Sequence, residues 1–382
     1  MENFILFLRK TGLIKRFIPI ITAISMLFSI MACIGPLPTP RDKIQNVIFI
    51  IGDGMGENHL KLAKQELGIN LVMETIPLRG QSKTDSFGGA VTDSAAGATA
   101  LACGVKTTNG CIGVYPYDTY ALEGYPVNLI ELAKGKGMET GIVTTDLTTG
   151  ATPAGFSVHT SARANTADIA LQEIGSGIDL FWGAADSETK QTAIESGGYK
   201  YISSLTEMNA LNESEKSFGQ FNGDDLWRAS SDSKTPTLSQ MTDKAIDLLD
   251  DEDGFFLMIE SAHIDKFSHS NDIANAVDCV KELDKSIAIA LDFAKEDGNT
   301  LVIVTADHET GAVELKDGKY VYTSVNHSGD NVPLFVYGSS NFIKNGQAIK
   351  NTDVSLYTAM SMGFTQKEFP RKVPVPLLNS AA

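Results

Sequence analysis

The residues best able to do chemistry fall into a few short polar segments. Asp265 and His269 stand four apart in Glu260-Ser261-Ala262-His263-Ile264-Asp265-Lys266-Phe267-Ser268-His269. One helical face would present both to a single metal ion. Asp307 and His308 are adjacent just after a buried-looking apolar run, a costly position unless they bind something. His327 lies in Val325-Asn326-His327-Ser328-Gly329, just before another such run. Asp53 sits in Gly52-Asp53-Gly54-Met55-Gly56, where the glycines let backbone approach a ligand closely; an Asx turn is the plainer reading. Imidazole with carboxylate suits zinc. Carboxylates with a hydroxyl and no nitrogen suit magnesium, and Thr152 in Gly150-Ala151-Thr152-Pro153, after the second apolar run, could supply that hydroxyl. Ser94 opens an alanine-rich run expected to be helical. At a helix N-terminus it faces free N–H groups that favour an anion, although Asp93 or Ser94 could simply cap the helix. No Ser-His-Asp triad is apparent, so activation of Ser94 falls to metal. His59, His159 and His263 read as structural or exposed.

These segments need elements to hold them. Short continuous apolar runs at 47–51, 140–145, 255–259, 301–305 and 332–337 read as buried parallel strands. Leu238, Met241, Ala245, Leu248 and Leu249 repeat at helical spacing, as do Ile273, Val277, Val280, Leu283, Ile287, Leu291 and Ala294, with Gly298 ending that helix. Strand–helix alternation predicts an α/β fold, a largely parallel central sheet with helices on both faces. Ligands then bind at the carboxyl ends of strands, where three runs independently place an acid. The stretch 186–236 is polar and weakly periodic, and reads as a peripheral insertion in a single domain.

Composition bounds the rest. The 382 residues hold 31 Lys+Arg against 47 Asp+Glu, a formal charge of −16, with 43% hydrophobic residues. That excludes full-length disorder and argues against nucleic-acid binding through a broad basic face. Four cysteines are too few for a disulfide scaffold. Cys103 and Cys111 are close enough in sequence to pair; buried thiols are the other reading.

In order and spacing, these motifs resemble the alkaline phosphatase family over residues 46–336. The segments are Gly52-Asp53-Gly54-Met55-Gly56, Thr92-Asp93-Ser94-Ala95-Ala96, Ala151-Thr152-Pro153-Ala154, the 260–269 segment, Thr305-Ala306-Asp307-His308 and His327-Ser328-Gly329. The resemblance implies hydrolysis of small phosphate monoesters by two Zn2+ ions and one Mg2+. One zinc would use Asp265, His269 and His327. The other would use Asp53, Asp307 and His308, and activate Ser94. Magnesium would use Asp53, Thr152 and Glu260. Arg163 matches the family's phosphate-clamping arginine, and guanidinium suits a bidentate phosphate contact. The chain departs from the pattern at Gly150, where relatives often carry Asp or His. Lys266, matching a lysine of some members, would then lack one expected partner, and magnesium an outer contact. The segment between His308 and His327 is short, so monomer and homodimer both stay open. Within the wider superfamily, sulfatases carry a Cys/Ser-x-Pro-x-Arg pattern absent around Ser94, and diesterases commonly use Thr and lack the third metal site. A non-catalytic metal-binding lipoprotein would be expected to have lost Ser94 or Arg163.

Residues 1–32 pair Arg9, Lys10, Lys15 and Arg16 with an apolar run from 17 to 32, the form of a signal peptide. Ile30-Met31-Ala32-Cys33 resembles a bacterial lipoprotein cleavage box, with lipid on Cys33 and a Pro-rich tether at 33–42. An ordinary signal cut after Ala32 and an uncleaved anchor are the alternatives. The expected organisation is signal peptide 1–32, tether 33–42 and catalytic domain 43–382, placed in the periplasm or cell envelope. Removing 1–32 leaves a formal charge of −19, since four basic groups and one acid depart with it.

Overall fold

The computed structural model describes residues 44–116, 124–213, 215–223, 226–228, 234–339, 341–370 and 372–373. Residues 1–43, on which the expected signal peptide, the lipid-bearing Cys33 and the tether fall, lie outside them. Among the described residues no helix is long and apolar enough to cross a membrane.

The apolar runs become strands of one ten-stranded sheet. In chain order they are β1 (Asn46–Gly52), β2 (Leu78–Lys83), β3 (Glu139–Leu147), β4 (Leu180–Ala184), β5 (Lys200–Ile202), β6 (Ser217–Phe221), β7 (Phe255–Ser261), β8 (Thr300–Thr305), β9 (Val332–Tyr337) and β10 (Ala348–Lys350). Their spatial order is β10-β2-β9-β8-β1-β7-β3-β4-β6-β5. β1 lies at the centre, parallel to β7 and β8. Its seven residues are all buried, as a strand covered on both faces requires.

Alternate residues of β1 feed two cores. Ile48 and Ile50 face one, with Leu257, Ile259, Val302 and Val304. Val47, Phe49 and Ile51 face the other, with Phe256, Met258, Leu301 and Ile303. The helices are α1 (Glu57–Leu67), α2 (Ser94–Cys103), α3 (Leu129–Gly135), α4 (Ala151–Gly155), α5 (Thr166–Gly175), α6 (Gln191–Ser196), α7 (Leu205–Asn209), α8 (Leu238–Leu249), α9 (His263–Ser268), α10 (Ile273–Asp297) and α11 (Asn351–Ser361). α8 and α10 bury the predicted stripes, Met241 and Ala245 on one and Leu283 and Ile287 on the other, in the first core. α2, α3 and α11 cover the second with Leu101, Leu129, Ile130 and Val354. Helix ends follow the sequence signals: Gly298 caps α10 with φ +76°, and Thr237 caps α8 by accepting from the Gln240 N–H.

One strand direction differs from expectation. β9 is antiparallel to both β8 and β2, where the run 332–337 was read as parallel. Burial on both faces makes a continuous apolar run whichever way the chain points, so the pattern carries no direction. The polar 186–236 stretch stays peripheral but is part of the sheet, since β5 and β6 extend its edge in parallel. Ile202, Met208, Phe221 and Trp227 tie it to the first core and Ile194 and Phe218 to the second, where Phe218 stacks on Phe181 at 5.1 Å and 7°. Cys103, Cys111 and Cys279 are free, buried thiols.

Candidate active site

The carboxyl ends of β1, β3, β7 and β8 sit side by side, and register fixes what meets what. Ile51 of β1 is opposite Glu260 of β7 on one side and Thr305 of β8 on the other. Asp53, Glu260 and Asp307 therefore emerge at one level, although 207 residues separate the first two. Thr144 of β3 also pairs with Glu260 and donates its hydroxyl to that carboxylate. Tight approach is achieved at Gly54, whose φ is +72°: a Cβ there would lie 2.8 Å from Asp265 Cα.

Asp265, His269 and His327 bring their ligand atoms within 4.8 Å of one another, close enough to meet one ion. Asp265 Oδ2 is 3.3 Å from His269 Nε2, and its Oδ1 is 3.5 Å from His327 Nε2. His327 arrives on a short antiparallel pair, Glu309–Thr310 with His327–Ser328, which sets Thr310 opposite it. Around the second centre, His308 Nε2 is 3.4 Å from Asp53 Oδ1 and 3.3 Å from Asp307 Oδ2. Asp53, Asp265 and His308 also cluster closely enough for one ion. Asp265 thus stands between the two groups rather than in one alone.

Each imidazole is oriented through its other nitrogen. His269 Nδ1 is 2.6 Å from the Val325 carbonyl and His327 Nδ1 is 2.9 Å from the Thr92 carbonyl. Carbonyl oxygens only accept, so both Nδ1 atoms carry the proton and both Nε2 atoms keep a lone pair when neutral. Those two Nε2 atoms are 3.1 Å apart. They repel unless a proton or a cation lies between them. Thr310 donates to Asp265 and so has its oxygen free to accept from His308 Nδ1 at 3.2 Å. This arrangement, in which each ring donates its Nδ1–H to an acceptor behind it, is the one that steers Nε2 onto metal.

Four buried oxygens in this cluster have no hydrogen-bond partner: Asp53 Oδ1, Asp307 Oδ2, Glu260 Oε1 and Thr152 Oγ1. Asp307 and Glu260 are 0% exposed and Thr152 1%. Such orphans are expensive unless a cation meets them. Burial, with Asp307, Asp265 and Glu260 nearby, pushes Asp53 well above the carboxylate range. Burial, then Asp146, pushes Glu260 up to about 8. Burial holds His308 below its ordinary value, in the neutral form a ligand needs. Asp265 goes the other way: burial opposes ionisation, but His327, His308 and Thr310 hold it low. The donor set therefore fits cations: carboxylate with imidazole at two points, and carboxylates with a hydroxyl at the third.

Ser94 is the first residue of α2. Asp93 is the cap, its Oδ1 accepting from Ala96 N–H at 3.0 Å, which leaves the Ser94 hydroxyl free of capping duty. Ser94 Oγ lies 3.2 Å from His308 Nε2, beside the second cluster. Arg163 is exposed, and its Nη1 pairs with Asp93 Oδ2 at 3.4 Å, next to Ser94 in sequence. His59, His159 and His263 are structural: they bond Ser268, Glu131 and Thr145 respectively.

Sequence reasoning missed Thr144, Asp146 and Thr310. Lys266 also corrects an expectation, because it is not left short of a carboxylate: its ammonium pairs with Asp146. Only the i, i+2 alternation of β3, which aims Thr144 and Asp146 the same way, could have signalled it.

A family model described as alkaline phosphatase matches residues 44–179 and 185–360. "Alkaline phosphatase 3" of Bacillus subtilis is 36% identical over 342 residues, covering 81% of this chain and 72% of that protein. The alkaline phosphatase of the Antarctic bacterium TAB5 superposes with a TM-score of 0.74 at 29% identity, over 85% of this chain and all (100%) of that one. A variant of it solved with magnesium in a site called M3 gives 0.71 at 28% identity, over 85% of this chain and 99% of that one.

Proposed function

This chain belongs to the alkaline phosphatase family and is a phosphomonoester hydrolase; from that premise we propose a two-step reaction through a phosphoserine on Ser94, with two zinc ions and one magnesium. The observation that carries it is the set of orphaned, buried oxygens packed around a serine at a helix N-terminus. Asp265, His269 and His327 would hold one zinc, Asp53, Asp307 and His308 the other, and Asp53, Thr152 and Glu260 the magnesium. When bound, such ions stabilise the entering and leaving oxygens of an in-line displacement. The magnesium in a TAB5 variant supports assigning that metal to the third set.

The chain's own groups divide the work. Ser94 Oγ attacks phosphorus and the ester oxygen departs as the alcohol; water then attacks the phosphoserine, freeing Ser94 and inorganic phosphate. The N-terminus of α2 points its free N–H groups at the phosphoryl oxygens. Arg163, steadied by Asp93, grips two of those oxygens in a planar fork. His269, His308 and His327 are held by their Nδ1 contacts, so little reorganises during reaction. Export with lipid on Cys33 is proposed with this activity.

The decisive experiment assays p-nitrophenyl phosphate against its bis ester, with and without chelator, using the chain from residue 34. Chelator-sensitive monoesterase activity is expected, with a phosphoenzyme trapped at acid pH that Ser94→Ala abolishes while zinc content stays. A preference for the bis ester, or a phosphoenzyme surviving in Ser94→Ala, overturns the reading. Cys33→Ser should release the full-length protein from the membrane fraction; unchanged fractionation rejects the anchor.

A further inference from the structure

Asp146 has no part in the two zinc groups, yet it stands against the third. It leaves the end of β3 with its side chain 17% exposed and paired with the Lys266 ammonium. Its own N–H donates to Thr144 Oγ1 at 2.8 Å, and that hydroxyl donates on to Glu260. One short chain of bonds therefore ties Asp146 to the carboxylate whose other oxygen, Glu260 Oε1, is unpartnered and buried, as is Thr152 Oγ1.

Gly150 completes the case. A Cβ at 150 would lie 2.5 Å from Asp146 Oδ2 and 2.8 Å from its Cγ. The Asp146 carboxylate thus occupies the space that any side chain at 150 would enter, two residues ahead of Thr152. An acid at 150 and the acid at 146 are alternatives for one volume.

We propose that Asp146 is the outer carboxylate of the Asp53–Thr152–Glu260 cation site and holds Lys266 beside it, with Gly150 kept bare to admit it. This rests on the third-cation reading above. Asp146 is a positioning residue: it adds negative charge near the cation and neutralises the ammonium that would otherwise oppose cation binding. Groups behind a metal's direct ligands commonly set affinity by roughly ten- to a hundred-fold.

The test is magnesium bound at equilibrium dialysis, measured by mass spectrometry on zinc-loaded protein across a magnesium chloride series. Asp146→Asn should weaken magnesium binding roughly ten- to a hundred-fold with zinc content unchanged. Asp146→Ala combined with Gly150→Asp should regain most of that loss, whereas Gly150→Asp alone should not exceed wild type. Lys266→Met should strengthen binding, because a nearby positive charge is removed. A merely structural ion pair predicts instead that Asp146→Asn and Lys266→Met weaken binding together. Unchanged affinity in Asp146→Asn, that parallel loss, or tighter binding in Gly150→Asp alone overturns the inference while leaving the third site standing. Wild-type protein that takes up no magnesium overturns the third site itself, and this inference with it.

Discussion

Gly54→Ala probes how tightly the site depends on backbone approach. Gly54 has φ +72°, and an added Cβ would meet Asp265 Cα and Cβ at 2.8 Å and Thr310 Oγ1 at 2.9 Å. The left-handed conformation costs alanine roughly 1–2 kcal/mol. Overpacking against backbone that cannot swing away costs a further ~1–3 kcal/mol. Relief requires moving from 2.8 Å toward an ordinary contact of 3.4 Å, a displacement of about 0.6 Å between the Asp53 turn and Asp265. Both acids are ligand candidates, so the distance between the two metal clusters changes. A misplacement on the order of 1 Å costs roughly a hundred-fold in rate, so a loss of about ten- to a hundred-fold in kcat/KM is expected here. Gly68→Ala is the control. Gly68 caps α1 with φ +65° and has nothing within 4 Å of its Cβ position, so only the conformational cost applies. Thermal unfolding in chelator should place Gly54→Ala about 2–5 kcal/mol below wild type and Gly68→Ala about 1–2 kcal/mol below. Zinc content and p-nitrophenyl phosphate turnover should fall only in Gly54→Ala. If Gly54→Ala keeps full zinc and its kcat/KM, or if Gly68→Ala loses both equally, the reasoning fails.

Other outcomes follow from the same geometry. Thr310→Val removes the hydroxyl that joins Asp265 to His308 Nδ1 and should weaken zinc binding roughly ten- to a hundred-fold, read by competition with a chromophoric chelator. Metal-stripped protein should lose stability as pH rises. Glu260, lifted to about 8 from an ordinary 4.5, keeps its proton in the folded state between those values while the unfolded chain has released it. Melting temperature in chelator should therefore drop from pH 5 to pH 8, and added zinc and magnesium should abolish the drop; a rise with pH would contradict the buried-acid picture. Arg163→Ala should raise KM and weaken inhibition by inorganic phosphate with α2 still folded, because Asp93 keeps its cap bond to Ala96. Loss of helical content by circular dichroism in that variant would show a structural role instead.

The sequence alone made the layers legible and gathered the polar groups able to do chemistry. Short continuous apolar runs bounded by turn residues read as strands buried on both faces, and stripes at helical spacing as the helices that cover them. Polar residues just past such runs then lie at strand ends, which is why Asp53, Glu260, Asp307 and His308 stand out in the sequence. Asp265 and His269 are paired by helical spacing, whereas the run behind Ser94 is equally that of a capped helix, and only the resemblance of the joined motifs singles that serine out. Tertiary structure decided whatever depends on neighbours distant in sequence. The reversed direction of β9 is not legible, because direction leaves no trace in a run buried on both sides. The polar 186–236 stretch pairs at the sheet edge, where β5 is held by backbone bonds and by the single buried Ile202, too short an apolar pattern to stand out in the sequence. The Nδ1 contacts that aim three imidazoles come from backbone carbonyls and Thr310, which carry no local signal. Asp146 was hidden most completely. Its meaning lies in an ion pair with Lys266, 120 residues on, and in a bare Gly150, and only packing brings those together.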